Sequence, residues 1–366
     1  MEKILLIDQS IEDVEEFFIP YINFLKKRGY EVHCVISENK NIKNSDKTFY
    51  LQFSEKLFSI KNIKAYKKLK KLIYENNYKF IYSINLIGGT LARLATRKKC
   101  NTKVIYATNG LPFYNGDKIK NWLIYYPIEK YLCKFANIIL TTNQEDYDFI
   151  EKRFKVQNLK KINGFGIICK NSTKKLSKQE IKKIYNHFDL NEKDYIFLSI
   201  GNLTENQNHI MQIDAVRRLI FKYKNIKLLI VGKGQLMGYL KFIIEKYELN
   251  NNIILTDELE YIPKLLNLTN VVLSTAKAEG ISANLVKAMV QCKPIIATDV
   301  RGNKELLKQK NLVKNTDELI KKMSICINAN KSKEIYETQK YEVENVLQEV
   351  FGLYTWKKIH LMVDYI

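Results

Sequence analysis

The chain has 366 residues, too many for one ordinary core and suited to two domains of about 180 residues each. Hydrophobic residues at 46% and charged residues at 27% exclude wholesale disorder. Sixty Lys and Arg against 39 Asp and Glu give a net charge of +21, yet 53 of those 60 cations are Lys, and a Lys-borne excess argues against a nucleic-acid partner because Arg is preferred for bidentate phosphate and base recognition.

In chain order, KILLID (3–8) reads as a first strand, Glu15–Arg28 as a helix closed by Gly29, and EVHCVIS (31–37) as a second strand. In KNIKAYKKLKKLIYENNYKF (61–80), Ile63, Tyr66, Leu69 and Ile73 fall on one helical face, ringed by Lys61, Lys64, Lys67, Lys68, Lys70 and Lys71. FIYSIN (80–85), a helix opened by Gly88-Gly89, KVIYATN (103–109), a helix across 119–135 and IILTT (138–142) follow. A Lys-rich stretch near 170–190 carries no strand. The alternation restarts at YIFLSIG (195–201) and runs through KLLIVG (227–232), NIILT (252–256), VVLSTA (271–276) and PIIATD (294–299). The segment from Glu334 to Ile366 reads as helical throughout.

Strand–helix alternation of this kind predicts parallel sheets covered on both faces, an α/β architecture of two doubly wound, Rossmann-like domains. The expected division is 1–170, 171–345, and a terminal helix over 346–366 packed at the domain junction. Ligands of open α/β sheets bind beyond the carboxyl ends of the strands, so a cleft between the domains is the expected site. No apolar run approaches the roughly 18 residues of a membrane-spanning helix, and Glu2 and Asp8 within MEKILLIDQS do not suit a signal peptide, so a cytoplasmic location is expected. The six Cys and four His are scattered without ligand spacing, which predicts reduced thiols and no metal site.

Chemistry is best placed in VVLSTAKAEGISANLVKAMVQCKPIIATDVRG. Ser282 suits an N-cap, and the free N–H groups around Ser282, Ala283 and Asn284 would then favour a phosphate. Glu279, just before Gly280 and the helix, suits hydrogen bonds from sugar hydroxyls; a carboxylate that caps its own helix is the alternative. Gly232-Lys233-Gly234 is either a close-approach loop or a simple turn.

On these residues the stretch from Tyr195 to Leu307 resembles the nucleotide-binding domain of family 4 glycosyltransferases, which have the two-domain GT-B fold. FFIPYINFLKKRGYEVHCVIS, IGGTLARLATRKK, KVIYATNGLPFYNG, NWLIYYPIEKYLCKFANIILTTNQEDYDF and NGFGI follow that family's capsule and exopolysaccharide branch in order. The resemblance implies a retaining transferase of the hexosyl type. It would move a sugar from a nucleotide-diphosphate donor, without a metal, to a glycan or lipid-linked acceptor in surface polysaccharide synthesis. It assigns Glu279 to donor-sugar hydroxyls, with Gly201, Gly232, Gly234, Gly280, Ser282, Ala283 and Asn284 around the donor. Acceptor contacts would fall in loops such as 40–60 and 110–118.

Several working positions depart from the family pattern. The second Glu of the donor motif is Lys287, the basic residue after Gly201 is Asn202, and the Lys expected on the diphosphate is Gln207. The His of the family's His-Gly-Phe motif is Asn109, and the His-rich strand end before Gly88 holds Tyr82, Ile84 and Asn85. Two readings follow. In one, Lys287, Arg301 (on the loop after PIIATD) and Lys277 supply the lost positive charge, since one charge-assisted contact is worth about 1.5–3 kcal/mol. In the other, the chain keeps the fold to stabilise or regulate a partner glycosyltransferase. Residues 51–100 hold 12 basic and 2 acidic residues, a net +10, which points to peripheral attachment of the first domain to an anionic membrane face through 61–80.

Overall fold

A computed structural model of the chain describes residues 1–8, 17–54, 56–97, 101–168, 176–330 and 332–352. Two compact units emerge, Met1–Ile167 with Val343–Ile366, and Ile168–Glu342.

The first unit is built on β1 (Lys3–Ile7), β2 (Glu31–Ile36), β3 (Lys47–Tyr50), β4 (Phe80–Ser83), β5 (Lys103–Thr108), β6 (Ile138–Thr141) and β7 (Leu159–Lys161). They form a parallel sheet in the order β3-β2-β1-β4-β5-β6-β7. Its helices are α1 (Ile19–Lys26), α2 (Ile60–Asn76), α3 (Leu86–Thr96), α4 (Ile119–Leu132) and α5 (Gln144–Arg153). Alternate residues of β1 feed opposite cores, as a strand period of two requires. Ile4 and Leu6 pack with Tyr21, Ile22 and Leu25 of α1, while Leu5 and Ile7 pack with Leu69 and Ile73 of α2 and Leu91 of α3.

Gly88-Gly89 explains how deeply α3 sits. A Cβ on Gly89 would lie 2.4 Å from the Tyr106 ring, so only glycine lets this helix sink onto β5. Arg93 of α3 is then fully buried; its guanidinium makes two hydrogen bonds to Glu129 of α4, at 2.9 and 2.8 Å, and lies 3.8 Å over the Tyr106 ring. Both members of this pair are at most 1% exposed.

The second unit carries β8 (Tyr195–Ile200), β9 (Ile226–Val231), β10 (Ile253–Thr256), β11 (Val271–Ser274), β12 (Ile295–Thr298) and β13 (Leu312–Val313), parallel in the order β10-β9-β8-β11-β12-β13. Around it lie α6 (Lys178–His187), α7 (His209–Leu219), α8 (Met237–Lys246), α9 (Ile262–Leu268), α10 (Ala283–Val290), α11 (Arg301–Leu306) and α12 (Thr316–Asn328). The chain then returns to the first unit through α13, over 343–352, whose Val346, Leu347, Val350 and Phe351 join the core of α1.

In each sheet the order reverses beside the unit's first strand, between β1 and β4 and between β8 and β11. Loops leaving the two carboxyl ends diverge there and open a crevice.

Several expectations need correction. Strands β3, β7 and β13 are additions to the predicted set. The first helix is shorter than expected, Ile19–Lys26, with Gly29 at φ +80° behind it, and residues 15 and 16 lie outside the described residues. The buried side of α2 is Asn62, Ala65, Leu69, Leu72 and Ile73; Ile63 stands 56% exposed, so the apolar face lies one position from that expected. Residues 332–338 are irregular and 339–341 form a 3-10 turn, so the chain from Glu334 is not continuously helical; 353–366 lie outside the described residues. Cys34, Cys133 and Cys326 are buried and Cys292 partly so, all as free thiols; Cys100 and Cys169 lie outside the described residues. Burial pushes the Cys34 and Cys133 thiols up to about 12.

Candidate active site

The crevice between β8 and β11 gathers most of the predicted donor residues. Gly201 directly follows β8, and the loop after β9 presses on it: a Cβ at Gly232 would lie 1.9 Å from the Gly201 carbonyl oxygen. Gly234, at φ +157°, stands where a Cβ would lie 2.5 Å from the Leu203 carbonyl oxygen. Gly232-Lys233-Gly234 is therefore a close-approach loop, and Lys233 also accepts a backbone hydrogen bond from Leu203 at 2.8 Å. The backbone nitrogen of Asn202 lies 3.7 Å from the same Gly232 Cβ position.

Gln207 folds back against Gly201, its Oε1 3.0 Å from where a Cβ would stand. Its Nε2 donates to Oε2 of Glu279 at 3.1 Å, spanning the reversal of strand order. The loop that carries Glu279 is tied down along its length. Thr275 Oγ1 donates to the Gln207 and Asn208 carbonyls at 3.1 and 3.0 Å. Asn206 bonds both the amide and the carbonyl of Ala278, and the Lys277 amide donates to the Asn206 carbonyl at 2.8 Å. Beneath them, fully buried Gln212 donates to Ser199 Oγ and Thr275 Oγ1 at 3.0 and 2.8 Å.

The β12 side closes the arrangement. Gly302 donates its amide to the Glu279 carbonyl at 3.1 Å, and a Cβ there would lie 1.6 Å from the Gly280 carbonyl oxygen. Arg301 is the first residue of α11 rather than a loop residue, and it is only 9% exposed. Burial is the largest influence on the Glu279 carboxyl and raises it above the usual carboxylate range; the Gln207 amide, the Gly280 N–H and the positive charge of Arg301 pull it partway back.

Ser282 caps α10, its Oγ accepting from the Leu285 amide at 3.5 Å, so Glu279 is not the cap. Ala283 and Asn284 form the first turn with Ser282, where unpaired N–H groups and the helix dipole favour an anion. Lys287 is in the last turn of this eight-residue helix, at the opposite end from the Ser282 cap. Lys277 is exposed.

Asn109 belongs to the other unit. It follows β5 as an exposed residue, and its Oδ1 accepts from Thr142 Oγ1 at 3.1 Å. The loop behind it is rigid, because buried Asp146 accepts from the Leu111 amide at 3.0 Å and from Asn143 Nδ2 at 2.7 Å. The crevice between β1 and β4 holds a second amide–carboxylate pair, Asn85 with Asp8, and Asn85 Oδ1 also caps α3 by accepting from the Gly88 amide at 2.6 Å.

Gly302, Asn206 and Thr275 were not among the predicted site residues. Gly302 had a legible signal, an Arg-Gly three residues beyond an apolar strand, near the place of the Gly pair after β9. Asn206 and Thr275 had none, since their partners are some 70 residues away. Among the described residues no group of three His, Cys, Asp or Glu could hold a metal ion.

Two family models match the chain, Glycosyl transferase 4-like over residues 3–143 and Glycosyl transferases group 1 over 179–343. EpsD of Bacillus subtilis, whose own glycosyltransferase assignment is provisional, is 29% identical over 80% of this chain and 77% of its own length. A diphosphoundecaprenol-dependent α-1,3-galactosyltransferase of Escherichia coli, named for UDP-Gal and α-D-GlcNAc-diphosphoundecaprenol, is 22% identical over 68% of this chain and 65% of its own. The crystal structure of Anabaena HepE with UDP-glucose superposes with a TM-score of 0.77 over 97% of this chain and 100% of that one, at 16% identity. With both models matched in order, and with the parallel strand order of both sheets, the chain belongs to the family 4 glycosyltransferases of GT-B fold.

Proposed function

We propose that the chain transfers a hexose, with retention of anomeric configuration, from a UDP-sugar to a glycan or lipid-linked acceptor during surface polysaccharide synthesis. The observation that carries the proposal is the Glu279 carboxylate held at the β8–β11 switch point by Gln207, with glycine backbones packed on either side. The Gln207 bond fixes the rotation of the carboxylate, which suits it to accept hydrogen bonds from donor-sugar hydroxyls. Departure of the diphosphate requires positive charge that is already oriented. Arg301 and the first turn of α10 supply it here, with no metal. UDP as the nucleotude carrier is supported by the complexes of HepE and by the name of the E. coli relative.

Purified protein incubated with UDP-hexoses and glycan or polyprenyl-diphosphate acceptors should form a product whose new linkage, read by proton NMR, keeps the donor's anomeric configuration. Inverted product would overturn the retaining mechanism, and transfer should fall at least about a hundredfold in Glu279→Ala.

One observation favours a second reading, a chain that keeps the fold to stabilise or regulate a partner transferase. Gln207 stands where the family carries a diphosphate-binding Lys, and it gives its amide to Glu279. Absence of saturable donor binding across UDP-, GDP- and dTDP-sugars would select this reading.

The exposed lysines of α2 support peripheral attachment of the first unit to the anionic cytoplasmic face of a membrane. No helix among the described residues is long and apolar enough to cross one. Vesicle binding that weakens as salt screens the lysines is expected, and binding wholly indifferent to salt would contradict it.

A further inference from the structure

The first unit contains an apolar trough outside the site described above. Because Gly88 and Gly89 let α3 sink onto the sheet, α2 and α4 stand proud on either side of it and enclose a cavity of about 620 Å³. Phe58 and Ile63 form one wall, Leu91 and Leu94 the floor, and Ile128 and Tyr131 the other wall. That volume is within the ~300–1,000 Å³ range of pockets that enclose a ligand.

The first wall is deliberately held. Asn62 is buried, and its Nδ2 donates to the carbonyls of Ser54, Lys56 and Leu57 at 3.0, 3.0 and 3.1 Å, while its Oδ1 accepts from the Ser54 amide at 2.8 Å. This one side chain fixes the turn that presents Phe58, which is 77% exposed. Ile63 and Tyr131 add further apolar surface at the opening. A rigid mount for exposed aromatic and aliphatic groups is costly in water and marks a contact surface.

The rim is cationic. Arg97 lines its end, and Lys64 and Lys67 stand on α2 beside the lining residues Ile63 and Tyr66; all three cations are exposed. The acidic residues of α2, α3 and α4 are Glu75, paired with Lys71 at 3.6 Å, and Glu129, buried against Arg93. An apolar slot with a positive rim complements a molecule that is hydrocarbon inside and anionic at its head.

We propose that this trough seats one acyl chain of an anionic bilayer phospholipid, with the lysines on the headgroups. The proposal deepens the surface attachment inferred above: the lysines alone give a film of charge, whereas the trough makes the attachment partly independent of salt.

The test uses the full chain with phosphatidylcholine vesicles containing phosphatidylglycerol, a fraction of which carries a photoreactive group midway along its acyl chain. Adducts are expected in peptides spanning 57–66, 86–97 or 123–132. At high salt, where headgroup attraction is screened, the double variant Phe58→Ser, Ile63→Ser should partition at least about tenfold less than wild type with an unchanged thermal melt. Lys64→Gln with Lys67→Gln should weaken binding at low salt only, so failure of the charged attachment is distinguishable from failure of the trough. Adducts confined to the outer lysines of α2, or wild-type binding abolished by salt, would overturn the proposal. So would labelling of the trough by a photoreactive polyprenyl diphosphate but not by the phospholipid, which would make it an acceptor seat.

Discussion

Both crevices of this molecule are spanned by an amide that donates to a carboxylate, Asn85 to Asp8 in the first unit and Gln207 to Glu279 in the second. In the first, Asp8 is only 2% exposed and Asn85 is also the cap of α3, so the pair serves the fold. In the second, Glu279 is half-buried, its ionisation is set by competing burial and positive charge, and glycine backbones press in from β9 and β12. A polar pair at a switch point is therefore not enough to define a site. What distinguishes the second is backbone packed directly on backbone at glycines, beside a carboxylate whose ionisation is set by burial against nearby positive charge.

The largest effects should come from forcing those backbones apart. Gly302→Ala would place a methyl 1.6 Å from a backbone oxygen, and a cost above about 4 kcal/mol is expected, read by denaturant unfolding together with loss of donor binding. Gly88→Ala at the other crevice meets the Asn85 and Ile7 side chains at 2.9 and 3.0 Å, which can yield, so about 1–3 kcal/mol is expected. Equal costs would erase the contrast.

Arg93→Ala should cost about 3–5 kcal/mol by leaving Glu129 buried and unpaired, yet donor affinity of the folded fraction should stay unchanged. A weakened donor affinity would mean that the first unit's buried charge acts on the site.

Exchange within the amide–carboxylate pairs should separate fold from binding. Asn85→Ala is expected to lower stability by about 1–2 kcal/mol through loss of its cap, with donor affinity intact. Gln207→Lys should instead tighten UDP-sugar binding by about tenfold or more, because one charge-assisted contact to phosphate is worth about 1.5–3 kcal/mol. Titration calorimetry reads both, and unchanged affinity in Gln207→Lys would show that the position no longer faces the diphosphate.

The smallest effect is a pH dependence. The Glu279 carboxyl is raised in the folded chain, so its protonated form contributes stability that is full below the unfolded carboxylate pKa and fades as pH rises through the raised value. Glu279→Gln should remove that decline from a stability–pH profile, and an unaltered profile would contradict the assignment.

Much of this contrast was legible in the residues. The buried strands announce themselves as runs such as KILLI and YIFLSI, and Glu279-Gly280 before Ser282 marked the loop that the structure places at the second switch point. The edge strands were not, because KTFY, LKK and LV run for only four, three and two residues, too few to show a period of two. Asn62 was hidden for a related reason: a polar residue beside Ile63 reads as solvent-facing, although its side chain closes a turn inside the core. Asn206 and Thr275 were hidden because their partners lie some 70 residues away along the chain, which local sequence does not reveal.

The central claim is that the second switch point, with Glu279 at its centre, is the donor site. Calorimetric titration of UDP-hexoses into the full chain and into Glu279→Ala tests it directly. Saturable binding by the wild type, weakened at least about tenfold in a variant with an unchanged melting temperature, is the predicted result. Equal affinity in the two proteins would place the donor elsewhere, and no binding to either would contradict the account.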